Sequence, residues 1–137
     1  MRANGDVIGY RSFGRGSTLV LVQGYGGTID NWDPRFLDLL ARSHRVVVFD
    51  NRGIGRSSGA VNGLSMRQMA DDVAGLIRAL HLGRPTVLGF SMGGVIAQEL
   101  AVDHPKSASR LVPVSTSPGG PKSVPSPVDA RTVQRPA

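Results

Sequence analysis

Four short apolar runs alternate with three amphipathic stretches along this chain. Thr18-Leu19-Val20-Leu21-Val22 and Arg45-Val46-Val47-Val48-Phe49 are near-continuous apolar runs bounded by turn residues, the pattern of strands buried on both faces. Pro85-Thr86-Val87-Leu88 predicts a third strand and Ser109-Arg110-Leu111-Val112-Pro113-Val114 a fourth. Asp33 followed by Pro34 starts a helix that runs to about Arg42, with Phe36, Leu37 and Leu40 on one face. Ser65-Met66-Arg67-Gln68 reads as a capping box. It opens a helix with Met66, Met69, Ala70, Val73, Leu76, Ile77 and Leu80 inward, closed near Gly83, and its methionines read as core filler. A third helix follows Ser91 and ends at His104. Strands alternating with such helices predict the α/β class, a mostly parallel sheet of βαβ units with right-handed crossovers.

After Ser117 the periodicity stops. Residues 118–137 hold five of the nine prolines and no apolar pattern, so they are expected to form a poorly ordered Pro/Gly/Ser-rich tail behind a core at 1–117. The strand at 109–114 would then end the sheet with an open edge, blunted somewhat by Pro113, and self-association through it is expected.

Net charge is +6, carried by fourteen Arg and two Lys, yet these are scattered with no run and no interleaved aromatics, which argues against a nucleic-acid partner. No stretch approaches 18 apolar residues and Met1–Asp6 carries no apolar signal region, so no membrane insertion is expected and a cytoplasmic location follows by default. Cysteine is absent, and no cluster has metal-ligand spacing, so neither a metal nor another cofactor is anticipated.

The chemistry sits at Gly89-Phe90-Ser91-Met92-Gly93, a G-x-S-x-G sequence with a strand before it and a helix after it. A serine on so tight a turn tolerates no bulk nearby, and Gly89 and Gly93 supply the clearance. Ser91 is therefore the candidate nucleophile. A second glycine-rich turn, Gln23-Gly24-Tyr25-Gly26-Gly27-Thr28, follows the first parallel strand. Ile29 stands where a dinucleotide fingerprint needs glycine, and no P-loop Lys-Ser/Thr pair is present. Free backbone amides beside a serine suit an oxyanion hole better, and those of Tyr25 and Met92 are assigned to it.

The strand at 45–49 runs into Asp50-Asn51-Arg52-Gly53-Ile54-Gly55-Arg56-Ser57. With this loop, the turn at 23–28, the elbow at 89–93 and His104-Pro105 before Arg110-Leu111-Val112, the chain resembles the α/β-hydrolase family over residues 5 to about 120. The elbow is similar to those of small esterases, enol-lactonases and cofactor-free haloperoxidases. Its serine argues against the branches with an aspartate nucleophile. The resemblance implies a small ester or acyl substrate, with Gly24 and Gly26 shaping the oxyanion turn. Asp50 lies at the correct edge of the sheet, but the strand at 18–22 separates its strand from the elbow, so Asp50 and Arg52 read as loop-fixing residues in preference to catalytic ones. Gln23 departs from the family, which usually has His there.

The family's order places an acid and then a histidine after the serine. Here Glu99, Asp103 and Asp129 are the acids downstream of Ser91, and His104 is the only histidine. A helix separates the two, so His104 lies roughly 15–20 Å from Ser91. His44 and His81 each precede a strand, at the far edge of the sheet, roughly 16 Å away. Asp71 and Asp72 read as solvated charges early in a helix. The family would continue with a lid, further strands and the loops carrying acid and histidine. The expected fold is thus an incomplete α/β-hydrolase lacking the lid and C-terminal strands. Three functions fit: a truncated serine ester hydrolase whose acid and histidine are lost from this chain or supplied by another one, a non-catalytic binding or interaction protein, or a minimal enzyme completed by a second protomer.

Overall fold

In the computed structural model, which describes residues 1–118, the apolar runs become the centre of one sheet. A short antiparallel pair, β1 (Arg2–Ala3) and β2 (Asp6–Val7), comes first, followed by β3 (Tyr10–Phe13) and β4 (Ser17–Val22). A 3-10 turn (Ile29–Asn31) and α1 (Pro34–Ala41) lead to β5 (His44–Phe49). Then come α2 (Met66–Ala79), β6 (Thr86–Phe90), α3 (Met92–Asp103) and β7 (Arg110–Val114). The sheet order is β3-β5-β4-β6-β7, antiparallel at β3 and parallel everywhere else. The predicted α/β class with a mostly parallel sheet is the class observed.

Alternation along the central strands divides the core into two layers. Val20, Val22, Val47, Phe49 and Val87 face α2 and α3, packing on Val73, Leu76, Ile77, Ile96 and Leu100. Leu19, Leu21, Val46, Val48 and Leu88 face the other way, onto Ile29, Trp32 and the Leu37, Leu40 and Ala41 side of α1. Asp33 caps α1, accepting from the Arg35 amide at 2.7 Å, and Ser65 accepts from the Gln68 amide at 3.1 Å, one half of the expected capping box; the return bond from the Gln68 side chain is not formed among the described residues. α2 closes two residues earlier than Gly83, with His81 left-handed (φ 51°) and the Leu82 amide donating to Ile77 O.

β1, β2 and β3 are additions to the sequence reading. β3 is largely exposed and polar, so it carries no apolar run. The β1–β2 turn did carry a signal: Asn4 and Gly5 both have positive φ (49° and 88°), as an Asn-Gly hairpin turn requires. At the other side of the sheet β7 pairs only with β6 among the described residues. Its Val114 carbonyl accepts from the Ser91 amide, so strand alternation turns Pro113 outward and removes one donor from the open edge. The tail expected at 118–137 lies, but for Pro118, outside the described residues.

Candidate active site

β6 delivers the chain to Ser91 in a backbone conformation, φ 53° and ψ −120°, that side chains other than glycine's rarely adopt. Two contacts make that turn possible. A Cβ on Gly89 would lie 2.2 Å from Gly93 O, and one on Gly93 would lie 2.2 Å from Val22 O on the neighbouring strand. Gly94, which the sequence reading left without a role, is equally constrained, its would-be Cβ falling 2.5 Å from Thr116. The Ser91 amide donates to Val114 O at 2.9 Å, and Ser91 O accepts from the Gly94 amide at 2.9 Å, so the serine heads α3 held at both ends. Its hydroxyl has no hydrogen-bond partner among the described residues.

The glycine-rich turn lies against the serine: a Cβ on Gly24 would stand 3.3 Å from Ser91 Cβ. Gln23 is buried and shapes this turn from within. Its Oε1 accepts from the Gly24 amide at 3.0 Å, its side chain fills the space beneath Gly27, and its carbonyl accepts from Asn51 Nδ2 at 3.1 Å. With Gly24 engaged in this way, the next amides are those of Tyr25 and, across the turn, Met92 at the head of α3. Neither donates to any described acceptor, as expected for a helix's first residue. Gly26 is left-handed (φ 66°), and the Tyr25 ring projects into solvent, 89% exposed.

A second loop braces the first. Asp50 is fully buried, accepting from the Ile29 amide at 2.6 Å and the Arg56 amide at 2.8 Å. Its own carbonyl accepts from the Ser57 hydroxyl at 2.6 Å. Arg52 is buried as well, donating through Nε to Asp72 Oδ2 at 2.8 Å, through Nη2 to Asp72 Oδ1, and through Nη1 to Asp6. The hydrogen bond to Asp72, then the field of both carboxylates, raises the Arg52 pKa against the opposing effect of burial. A raised cation contributes its stability below its unfolded-state value and loses it only above, so this group adds no pH dependence in the ordinary range. Asp72 is therefore not the solvated charge the sequence suggested; it is 3% exposed, because its position on α2 faces the Arg52 loop. Asp71 is also engaged, with His104 Nε2 2.6 Å from its Oδ1.

Two cavities meet at the Tyr25–Gly26 ridge. One, of about 600 Å³, is walled by Gln23, Gly24, Trp32, Phe36, Phe90 and Ser91. Its aromatic side is organised by Trp32, which stacks on Phe36 (centroids 6.0 Å apart) and meets Phe90 edge-on (6.4 Å). The other, of about 390 Å³, lies on the α2 side between Ile54, Val61, Leu64, Met66, Met69 and Met92. A third hollow, between Arg11, Phe13, Leu37 and Asp38, does not include Ser91.

None of the chain's three histidines borders either cavity at the ridge. His104 caps the far end of α3, His44 lies beside Ser43 Oγ at 3.0 Å, and His81 ends α2. Among the described residues no three His, Cys, Asp or Glu side chains are grouped to hold a metal ion, and no helix is long and apolar enough to cross a membrane.

A family model for the alpha/beta hydrolase fold matches residues 17–136, past residue 120 where the sequence landmarks end. The protein named carbamate hydrolase RutD in Serratia proteamaculans is 42% identical over 102 residues, which make up 74% of this chain and 38% of that protein. BpoC of Mycobacterium tuberculosis, named as a non-heme bromoperoxidase, is 38% identical over 110 residues, 80% of this chain and 42% of that one. The solved enol-lactonase from Burkholderia xenovorans LB400 matches with a TM-score of 0.78 at 29% identity, covering 84% of this chain and 45% of its own. The chain spans 38% and 42% of the length of these two curated relatives.

Proposed function

The chain belongs to the α/β-hydrolase family, and on that premise we propose that it contributes the nucleophile and oxyanion site of a carboxylic-ester hydrolase. One observation carries the reading. Ser91 is held in a strained backbone conformation at the head of α3, its hydroxyl without a partner among the described residues and bordering a cleft of about 600 Å³. In the reaction Ser91 Oγ attacks the acyl carbon and gives its proton to a base. The carbonyl oxygen becomes an oxyanion, accepting from the Tyr25 and Met92 amides while the N-terminus of α3 stabilises the charge. Collapse expels the alcohol, which takes up that proton, and water then releases the acyl group from Ser91. Each oxyanion donor of this kind is worth about 10²–10³ in kcat. The names of the relatives support this reading, since carbamate hydrolase and enol-lactonase both describe cleavage of an acyl carbon–heteroatom bond.

No histidine of the same chain borders the cleft among the described residues, so the base is read as coming from residues past 118 or from another chain. A second copy of this chain is one source, and the observation favouring it is that β7, whose last carbonyl holds the Ser91 amide, pairs only with β6 among the described residues. Hydrolysis of a short p-nitrophenyl ester, followed over a protein concentration series against Ser91→Ala, tests both statements. Turnover abolished in Ser91→Ala is expected, and turnover per chain that climbs with concentration identifies the base as a partner's. Turnover equal in the two proteins at every concentration would overturn the hydrolase reading and leave the elbow as inherited architecture.

A further inference from the structure

We infer that the cavity on the α2 side of the Tyr25–Gly26 ridge binds an unbranched aliphatic chain, the acyl arm of the substrate. This rests on the reading of Ser91 as an acyl-accepting nucleophile. Tyr25 and Gly26 border both cavities, Ser91 lines one of them and Met92 the other. A carbonyl oxygen held between the Tyr25 and Met92 amides therefore has an exit for one substituent on each side of the ridge.

The two exits differ in chemistry. The α1-side cleft keeps polar atoms at its rim, including Asn31 and Asp33 beside Trp32. The α2-side cavity is mostly apolar: Asn51 Nδ2 is engaged with Gln23 O and the Arg52 guanidinium with Asp72 and Asp6, which leaves Asn51 Oδ1 and the exposed Tyr25 hydroxyl as the polar side-chain atoms at its edge. Everything else in its wall is apolar side chain or the shared ridge, so hydrocarbon is the matter it can desolvate without loss. Met66, Met69 and Met92, three of the chain's four methionines, surround it. The reading of the α2 methionines as core filler holds, since Met69 is buried in the core and Met66 packs against it; Met66 and Met92, both half-buried, face the cavity as well. Unbranched thioether side chains re-pack around a ligand at little cost, which suits a flexible chain better than a rigid ring. At the outer wall Val61 packs over Gly53, where a Cβ would meet it at 2.4 Å. The volume of about 390 Å³ sets the length. An apolar cavity of about 150 Å³ takes the six carbons of benzene, so this wider, solvent-open one holds about eight to ten.

The chain carries its own reporters: three methionines on one side of the ridge, and its single tryptophan, Trp32, on the other. The test is titration of chain labelled with 13C at the methionine methyls, in wild type and Ser91→Ala, with alkanoates of four to twelve carbons, alongside Trp32 emission. Methyl signals of Met66, Met69 and Met92, assigned through single Met→Leu variants, are expected to shift while Met1 does not. Affinity should tighten about fourfold per added methylene and level off near ten carbons. Val61→Asp, at the half-exposed mouth, should weaken decanoate and leave butyrate unchanged. The inference is overturned if Trp32 emission follows chain length while the three methionines stay still, if affinity is flat from four to eight carbons, or if nothing responds. Methionine shifts without Ser91-dependent ester turnover would uphold the pocket and remove the hydrolase reading.

Discussion

The strain at Ser91 has a measurable consequence for stability. Non-glycine residues at φ 53°, ψ −120° carry about 1–3 kcal/mol of conformational cost, borne because Gly89, Gly93 and the Ser91–Val114 hydrogen bond over-determine the turn. Ser91→Gly removes that cost. It forfeits an exposed hydroxyl without a described partner, and it adds about 0.5–1 kcal/mol of chain entropy to the unfolded state. The net expectation is stabilisation by about 0.5–2 kcal/mol. Ser91→Ala keeps the Cβ and the strain, so it should remain within about 0.5 kcal/mol of the wild type. Both variants lose the nucleophile, so their difference reads the strain relieved less the chain entropy that glycine adds. Urea unfolding followed by far-UV circular dichroism measures the difference, and the thermal midpoint of the glycine variant should rise by roughly 2–6 °C. A glycine variant no more stable than the alanine variant would refute the claim that the elbow stores strain.

Other perturbations follow from the same geometry. Gly93→Ala must displace the β4 backbone at Val22 and should cost at least about 2 kcal/mol, whereas Gly26→Ala, with open space around it, should cost only the left-handed penalty of about 1 kcal/mol; denaturant midpoints rank them. Asp72→Asn leaves the buried Arg52 guanidinium with only the quarter-exposed Asp6 and should cost about 2–4 kcal/mol, against about 1 kcal/mol for Asp6→Asn. The apolar pair Arg52→Met with Asp72→Leu should recover most of that loss, and a double variant as unstable as Asp72→Asn would show that the ion pair is a net contributor. Asp50→Ala frees the Ile29 and Arg56 amides in a fully buried site; unfolding in urea should show a loss of about 3 kcal/mol.

The parts of the fold legible in the sequence are those whose constraints are local. β4, β5 and β6 are continuous apolar runs because both sheet faces are covered, and the caps at Asp33 and Ser65 answer donors within three residues of themselves. The elbow is legible because Gly89, Ser91 and Gly93 lie within one turn of chain: the demand on Gly89 is local, set by Gly93 O, although that on Gly93 comes from Val22 O on the neighbouring strand. β3 is not legible, because an outer strand of exposed residues owes its conformation to Val46–Phe49 across the ladder rather than to its own pattern. Gln23 falls between these cases. Its position in the turn was visible, but its work, holding the Gly24 amide and packing beneath Gly27, depends on a rotamer that only the folded loop defines.

Asp72 is the more instructive miss, because the periodicity already contained it. Residue 72 lies three after Met69 and four before Leu76, within the stripe that points α2 at the sheet. A carboxylate inside an apolar stripe is either a break in the amphipathic pattern or a buried ion with a cation committed to it, and α2 shows no break. The committed cation had to be an arginine able to reach across with two parallel donors, since a single ammonium satisfies one oxygen poorly. Arg52 opens the loop between β5 and α2, twenty residues earlier. Its pairing with Asp72 fixes where that loop crosses the top of the sheet, and so where Ile54 and Val61 stand beside Met92. The charge that looked like surface decoration is thus what sets one wall of the proposed acyl pocket.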